Sequence, residues 1–108
     1  ILYLQYIYII NNINIYYFIN IMELLKHTLF INLDHRVDRL VNVYNQLKLL
    51  NIKGERFNAV KMKKGHIGCT ISHIKCLELA KQRNWEQVFI CEDDIVFNDP
   101  KLLLSNID

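Results

Sequence analysis

Residues 28–34 read Thr-Leu-Phe-Ile-Asn-Leu-Asp, a short apolar run that ends at a carboxylate. An apolar run of this length, rich in β-forming side chains, predicts a buried strand over Thr28–Leu33. Asp34 is a suitable N-cap for a helix that follows, and apolar residues then recur at helical spacing as far as about Leu50. The predicted apolar face of that helix consists of Val37, Leu40, Val41, Tyr44 and Leu47.

The same strand-and-helix order repeats further along the chain. Glu55–Val60 is a second predicted strand, a polar loop over residues 61–68 follows it, and Gln87–Cys91 is a third strand. The helix between them has its predicted apolar face at Ile67, Ile71, Ile74, Leu77 and Ala80. Asp99-Pro100 is typical of a further helix start. Strands that alternate with helices pair in parallel through right-handed crossovers, so we expect an α/β fold with a mostly parallel sheet flanked by helices.

Residues 1–21 differ from the rest because they contain no charged side chain. Three interpretations remain: a spurious or dispensable extension with Met22 as the true start, a weak membrane or signal anchor, or an added strand. Asn and Gln side chains interrupt the segment and are costly in hydrocarbon, and it lacks the basic start and small-residue cleavage site of a secretory signal. We therefore place the extension first and do not expect membrane contact.

Charge and cysteine content exclude several classes of protein. The formal net charge is +2, and the longest basic cluster, Lys61, Lys63 and Lys64, is too small for a nucleic-acid interface. Three cysteines cannot pair completely, so a disulfide scaffold is not expected. They are typical of small buried side chains in a reducing compartment, which favours the cytoplasm; the secretory pathway stays open.

Three acidic residues, Glu92, Asp93 and Asp94, follow the third predicted strand. Ligands of parallel sheets bind beyond the carboxyl ends of the strands. Adjacent carboxylates repel one another unless a cation lies between them, and oxygen ligands suit Mg²⁺ or Mn²⁺. In an extended segment Glu92 and Asp94 point to one side and Asp93 to the other, so Glu92 and Asp94 are the predicted metal ligands. The alternative is a solvated acidic turn.

Asp34 and two arginines lie at the end of the first strand. Asp34 there could hydrogen-bond a ribose or a base edge. Arg36 and Arg39 are in the first turn of the following helix, where the helix dipole and free N–H groups favour anions. The alternative is a plain N-cap beside an exposed Asp38–Arg39 helix surface.

The third segment of interest, Gly65–His73, begins the second helix. Its glycines permit close approach of a ligand to the backbone, and Ser72 and His73 would project near that ligand. A single helical face carries four potential zinc ligands: His66, Cys69, His73 and Cys76. One straight helix cannot place four ligands tetrahedrally, and the sequence shows no second ligand set, so we do not expect zinc.

Taken together, four segments resemble glycosyltransferase family 25, which includes lipopolysaccharide-biosynthesis transferases and procollagen galactosyltransferases. The matching segments, in order, are FINLDHRVDRL, ERFNAV, GHIGCTISHIKCLELA and VFICEDDIVF, between about Thr28 and Asp99. The resemblance implies a GT-A-type fold and a nucleotide-sugar donor, commonly a UDP-hexose, with Mn²⁺ (or Mg²⁺) as cofactor. It implies transfer of a hexose, galactose or glucose, to a glycan or protein hydroxyl acceptor.

The resemblance also carries over individual residues. Asn32, Asp34 and Arg39 match the donor-side start motif, and Gly68, Ser72 and His73 match the glycine-serine-histidine segment. Glu92, Asp93 and Asp94 match the acidic motif that holds metal and donor diphosphate. With Arg36 added from its helix position, the expected donor-binding residues are Asn32, Asp34, Arg36, Arg39, Gly68, Ser72, His73 and Asp93, and the expected metal ligands are Glu92 and Asp94.

Residues 22–108 are thus expected to be the N-terminal, nucleotide-sugar-binding part of such a transferase. Family members continue well beyond this length, so the acceptor site and the catalytic base are expected elsewhere, and no catalytic residue can be named. The alternative is a non-catalytic fragment or a nucleotide-binding module without an acceptor half. A phosphatase-like hydrolase with Asp34 as nucleophile is disfavoured because position 36 is Arg where a second acid would be expected.

Overall fold

The computed structural model describes residues 6–9, as a strand, and residues 25–97. The elements in chain order are β1 (Tyr6–Ile9), β2 (Thr28–Asn32), α1 (Val37–Leu49), β3 (Gly54–Asn58), α2 (Gly65–Gln82) and β4 (Gln87–Glu92). The three strands predicted from the sequence are therefore present, each within two residues of its predicted ends. The predicted helix start at Asp99-Pro100 lies outside the described residues.

The sheet has the strand order β1-β4-β2-β3. β2 pairs in parallel with both β3 and β4, whereas β1 pairs antiparallel with β4. Helices α1 and α2 flank the three parallel strands, so the predicted α/β class is confirmed. The finer GT-A assignment stays a prediction.

The two helices cover opposite faces of the sheet, and the alternation of side chains along the strands decides which residue meets which helix. Three side chains of β2 and β4 join the core cluster that contains Val43 and Leu47 of α1: Phe30, Phe89 and Cys91. The intervening residues join the cluster that contains Cys76 and Ala80 of α2: Leu29, Ile31, Val88 and Ile90. Both central strands are therefore buried on both faces, as expected of a parallel sheet between helices.

Helix α1 differs from the sequence prediction in its start and in its buried face. Asp34 is not the N-cap: Arg36 occupies that position, and it makes no capping hydrogen bond with its side chain. The core-facing residues are Val43 and Leu47, with Leu40 packed beside them. Three residues of the predicted apolar face are half or more exposed: Val37, Val41 and Tyr44. The apolar residues of α1 occur on all sides of the helix, so their spacing alone did not predict which of them would face the sheet.

Helix α2 begins at Gly65, inside the predicted loop, and packs through small residues. Its buried positions are Gly68, Ser72, Cys76 and Ala80, four residues apart. Ile67 and Ile74, which the sequence placed on the buried face, are exposed. The reason is steric: a Cβ atom on Gly68 would lie 2.4 Å from the carbonyl oxygen of Val60. Small side chains let the helix backbone approach the sheet and the 59–62 loop closely.

β1 accounts for four of the uncharged N-terminal residues. Tyr6 lies opposite Ile90 and Ile9 opposite Gln87 in the antiparallel ladder. Of the three interpretations of residues 1–21, the added strand is the one that these four residues adopt, and the proposed start at Met22 stays a prediction. Within the described ranges, neither helix is both long enough and apolar enough to cross a membrane.

The close approach at Gly68 can be tested with a pair of glycine variants. Gly68→Ala should lower the free energy of unfolding by about 1–3 kcal/mol, because the new methyl group overlaps the Val60 carbonyl. Gly65→Ala is the matched control, since a Cβ there meets nothing within 4 Å. That control should be neutral or stabilising by up to about 1 kcal/mol. Equal melting temperatures for the two variants would contradict the packing described for α2.

Candidate functional site

The carboxyl end of β4 sends consecutive acidic side chains to opposite faces of the sheet. Glu92 lies on the α2 side, where its Oε1 is 2.7 Å from the Sγ of Cys69. Asp93 lies on the α1 side and is buried, with only 7% of its surface exposed. Asp94 is exposed in the turn that follows the strand. The predicted separation of Asp93 from Glu92 is therefore confirmed.

Asp93 is held by three side chains from β2 and α1. The Asn32 amide donates from Nδ2 to Oδ2 of Asp93 at 2.8 Å, and Arg39 approaches Oδ1 at 3.4 Å. Asn42 donates to the backbone carbonyl of Asp93 at 3.0 Å. The Arg39 side chain is 44% exposed, whereas that of Asp93 is 10% exposed. Asp93 therefore contacts the Arg39 guanidinium on one side, while much of the Arg39 side chain is open to solvent.

Arg56, which the sequence analysis did not select, joins the ends of β2 and β3. Its Nε donates to Oδ1 of Asn32 at 3.0 Å, and its Nη2 donates to the Asn32 carbonyl at 3.0 Å. The same Nη2 donates to Oδ1 of Asp34 at 2.8 Å. Asp34 is thus the acidic partner of Arg56, which explains why it does not cap α1. The available signal was the position of Arg56 as the second residue of the predicted strand Glu55–Val60.

Arg36 pairs with Asp38 rather than with a residue of the sheet. Its Nε and Nη2 donate to the two carboxylate oxygens of Asp38 at 3.0 and 2.9 Å. This hydrogen bonding lowers the pKa of Asp38 to about 2, and the same contact raises the pKa of Arg36. The pair lies on the surface, so its contribution to stability is small.

Gly68 and Ser72 fix the loop that precedes α2. The Ser72 hydroxyl accepts a hydrogen bond from the Val60 amide at 2.9 Å and donates to the Gly68 carbonyl at 2.8 Å. Ser72 is fully buried. Both residues therefore position residues 59–62 at the mouth of the site.

These elements enclose one cleft of about 220 Å³ at the carboxyl ends of the parallel strands. Its charged and polar lining consists of Arg36, Arg39, Lys61, Cys69, Ser72, Glu92 and Asp93. The cleft is smaller than the roughly 300–1,000 Å³ of typical small-molecule sites. It combines cationic side chains from α1 with carboxylates from β4, beside the first residue of α2.

The predicted site residues fall into two groups. One group lines the cleft: Arg36, Arg39, Ser72, Glu92 and Asp93. The other group lies outside it, and two of its members, Asn32 and Gly68, support the cleft through the contacts described above. Asp34 is exposed beside Arg56, and His73 lies one helical turn beyond Cys69 on α2. His73 has its pKa lowered by burial, so its neutral form is favoured.

The predicted metal ligands, Glu92 and Asp94, have different neighbours. Among the described residues, the group whose ligand atoms lie within 4.8 Å of one another is Cys69, His73 and Glu92, and Asp94 is not part of it. Glu92 and Asp94 are hard oxygen donors; Glu92 is the last residue of β4, and Asp94 lies in the turn that follows. The donor types therefore fit Mg²⁺ or Mn²⁺, and metal binding there stays a proposal.

The support given by Asn32 predicts a large effect of its removal. Asn32→Ala removes the 2.8 Å hydrogen bond to the buried Asp93 carboxylate and the 3.0 Å hydrogen bond from the Nε of Arg56. We expect the free energy of unfolding to fall by at least about 1–3 kcal/mol, since one of these groups is a buried carboxylate. Asn45→Ala, at an exposed position of α1, is the control and should change stability by no more than about 0.5 kcal/mol. Denaturant titration measures both; equal effects would show that Asn32 does not hold the site.

Comparisons with known proteins match the second half of this chain to a family of glycosyltransferases. The model of glycosyltransferase family 25 (LPS biosynthesis protein) matches residues 61–107, from the loop before α2 past the acidic triplet. A protein of Haemophilus influenzae named putative glycosyltransferase is 38% identical over 61 residues, which is 56% of this chain and 22% of that protein. The chain thus covers about a fifth of this relative. No solved structure matches. The resemblance to glycosyltransferase family 25 is confirmed.

Proposed function

We propose that this chain is the donor-binding part of a glycosyltransferase that moves a hexose from a nucleotide sugar to a glycan or protein hydroxyl. One observation carries the proposal: two arginines at the start of α1 and two carboxylates at the end of β4 line a single cleft at the carboxyl ends of parallel strands. Ligands of open α/β sheets bind at this edge. The family match covers the β4 end of the cleft and the start of α2.

The arginines suit the diphosphate of such a donor. Arg39 is anchored on one side by Asp93, and 44% of its side chain is exposed. A guanidinium held in this way keeps further N–H groups for phosphate oxygens and loses little conformational entropy on binding. Arg36 lies one turn earlier, at the positive end of the helix, where anions are also favoured.

The carboxylates would hold a divalent cation. Glu92 and Asp94 are the residues that we assign to Mn²⁺ or Mg²⁺, because the oxygens of Asp93 already accept hydrogen bonds from Asn32 and Arg39. Such an ion, when bound, would neutralise negative charge on the departing diphosphate. Asp93 would then act on the donor indirectly, by orienting Arg39.

The ribose or base would lie towards the end of β2. Asp34 is exposed, and one of its carboxylate oxygens accepts the 2.8 Å hydrogen bond from Arg56. Its position at the strand end suits hydrogen bonding to a ribose hydroxyl. The small volume of the cleft fits a site that further residues complete, and the acceptor and catalytic base are assigned to none of the described residues. The alternative is a donor-binding module that does not itself catalyse transfer. An assay of hexose transfer distinguishes this alternative from a transferase.

The metal assignment predicts the behaviour of an Asp94 variant. UDP-galactose with Mn²⁺ should raise the melting temperature of the 108-residue chain, because a ligand at 100 times its Kd stabilises the native state by about 2.7 kcal/mol. Asp94→Ala should abolish the part of this shift that requires Mn²⁺ and leave the melting temperature without ligand unchanged, since Asp94 is exposed. Differential scanning calorimetry measures both quantities.

Glu86→Ala is the matched control for that experiment. Glu86 is also exposed, and it immediately precedes the opposite end of β4, so its removal should leave the Mn²⁺-dependent shift intact. An Asp94→Ala chain that retains the full shift would show that the metal assignment is wrong. A shift produced by UDP-galactose without Mn²⁺ would support donor binding and remove metal dependence from the proposal.

The diphosphate assignment predicts that Arg39→Gln binds UDP-galactose about 10–100-fold more weakly. This loss corresponds to one charge-assisted hydrogen bond, worth about 1.5–3 kcal/mol. Lys48→Gln removes one positive charge from the last turn of the same helix and should leave the affinity unchanged. Isothermal titration calorimetry in the presence of Mn²⁺ measures the three affinities. Equal affinities for the Arg39→Gln and unmodified chains would contradict the proposed role of Arg39.

A further inference from the structure

The α2 side of the site contains a second set of potential ligands. Cys69 and His73 are four residues apart on α2, so their side chains lie on the same side of the helix, one turn apart. Glu92 reaches them from the end of β4. The Sγ of Cys69, a ring nitrogen of His73 and a carboxylate oxygen of Glu92 all lie within 4.8 Å of one another.

Zinc was not expected from the sequence because ligands from α2 alone cannot surround an ion tetrahedrally. The fold adds a ligand from a second element, because strand alternation directs Glu92 towards α2 while Asp93 turns towards α1. His66 and Cys76 do not belong to the group: His66 is exposed in the first turn, and Cys76 is buried in the core against β2 and β4. The set is therefore one thiol, one imidazole and one carboxylate from two different elements.

The donor types and spacing suit a borderline-soft ion better than Mn²⁺. Zinc binds sulfur at about 2.3 Å and imidazole nitrogen at about 2.0–2.1 Å, which places tetrahedral ligands roughly 3.3–3.8 Å apart. The three ligand atoms lie within 4.8 Å of one another, close to these separations. Cys69 and Glu92, at 2.7 Å, would open slightly to admit the ion.

The local charge also favours a cation. The Glu92 carboxylate lies against the Cys69 thiol, and Asp94 adds a second negative charge two residues later. These carboxylates would attract a divalent ion, and the thiol proton would pass to solvent as the metal–sulfur bond forms. All three ligands are half-buried, so the site is shielded from water yet reachable from it.

We propose that Cys69, His73 and Glu92 form a three-ligand zinc site at the α2 wall of the cleft. Cys69 and Glu92 both line the cleft, so the remaining coordination position would face it. Three protein ligands with an open fourth position are typical of zinc sites that bind water or another small ligand. This site shares Glu92 with the proposed Mn²⁺ site, so the two ions would compete for that carboxylate, whereas Cys69 and His73 belong to the zinc site alone.

Cobalt(II), a spectroscopic substitute for zinc, tests the site in the 108-residue chain under reducing conditions. The expected spectrum has a thiolate-to-cobalt charge-transfer band, and added Zn²⁺ should remove it by displacing cobalt. Cys69→Ser should eliminate the band. Loss of a residue that only hydrogen-bonds a metal ligand weakens metal binding by roughly 10–100-fold. His73→Gln removes a ligand itself, so it should weaken cobalt binding by more than this.

Two controls separate this site from its neighbours. His66→Gln removes an exposed histidine from the same helix, and Asp94→Ala removes the Mn²⁺-assigned carboxylate that is not a ligand of the zinc site. Both variants should retain the charge-transfer band. Melting curves of each variant without metal show whether the fold persists. Absence of the band in the unmodified chain, or its survival in Cys69→Ser, would overturn the proposal. Neither result would alter the test of donor binding, because that test depends on Asp94 and Arg39.

Discussion

The site depends on one buried amide. Asn32, at the end of β2, is 1% exposed and uses both of its functional groups. Its Nδ2 donates to Asp93 at 2.8 Å and to the Arg36 carbonyl at 3.1 Å, and its Oδ1 accepts from Arg56. A single side chain therefore connects the end of β4, the start of α1 and the end of β3. An amide can do this because it has two donor hydrogens and an acceptor oxygen in one plane.

The second constraint is the alternation of side chains along the central strands. It directs Phe89, Cys91 and Asp93 towards α1, and Ile90 and Glu92 towards α2. The two acidic residues consequently meet different chemistry: Asp93 meets an amide and a guanidinium, whereas Glu92 meets a thiol and an imidazole. One pleat thus separates the side of the cleft that we propose for the donor diphosphate from the side that carries the thiol and the imidazole. Small residues on α2 let that helix approach the sheet closely enough for Cys69 and His73 to meet Glu92.

Much of this arrangement could be predicted from the sequence. The apolar runs before Asp34 and before Glu92 predicted two buried strands, and the order of strands and helices predicted the parallel sheet, because crossover rules leave few alternatives. The opposite directions of Glu92 and Asp93 followed from strand geometry. The family resemblance followed from four segments in order, and the comparisons confirm it.

What could not be predicted depends on tertiary contacts. The predicted buried faces of α1 and α2 were wrong in part, because the exposed residues Val37 and Ile74 are as apolar as the residues that are buried. The capping role of Asp34 was wrong because Arg56, distant in sequence, competes for its carboxylate. The grouping of Cys69 with Glu92 joins residues 23 positions apart, and only the packing of α2 on β4 brings them together.

The most direct test of the account is an NMR measurement of where Mn²⁺ and UDP-galactose bind on the isotopically labelled 108-residue chain. Paramagnetic broadening by Mn²⁺ should centre on the backbone amides of Glu92–Asp94. Donor, added with diamagnetic Mg²⁺, should shift the side-chain Nε–H of Arg39 and the amides at the start of α2. Broadening and shifts centred on Lys26 and Glu86, at the opposite edge of the sheet, would contradict the account. The absence of any donor-dependent shift would contradict it equally.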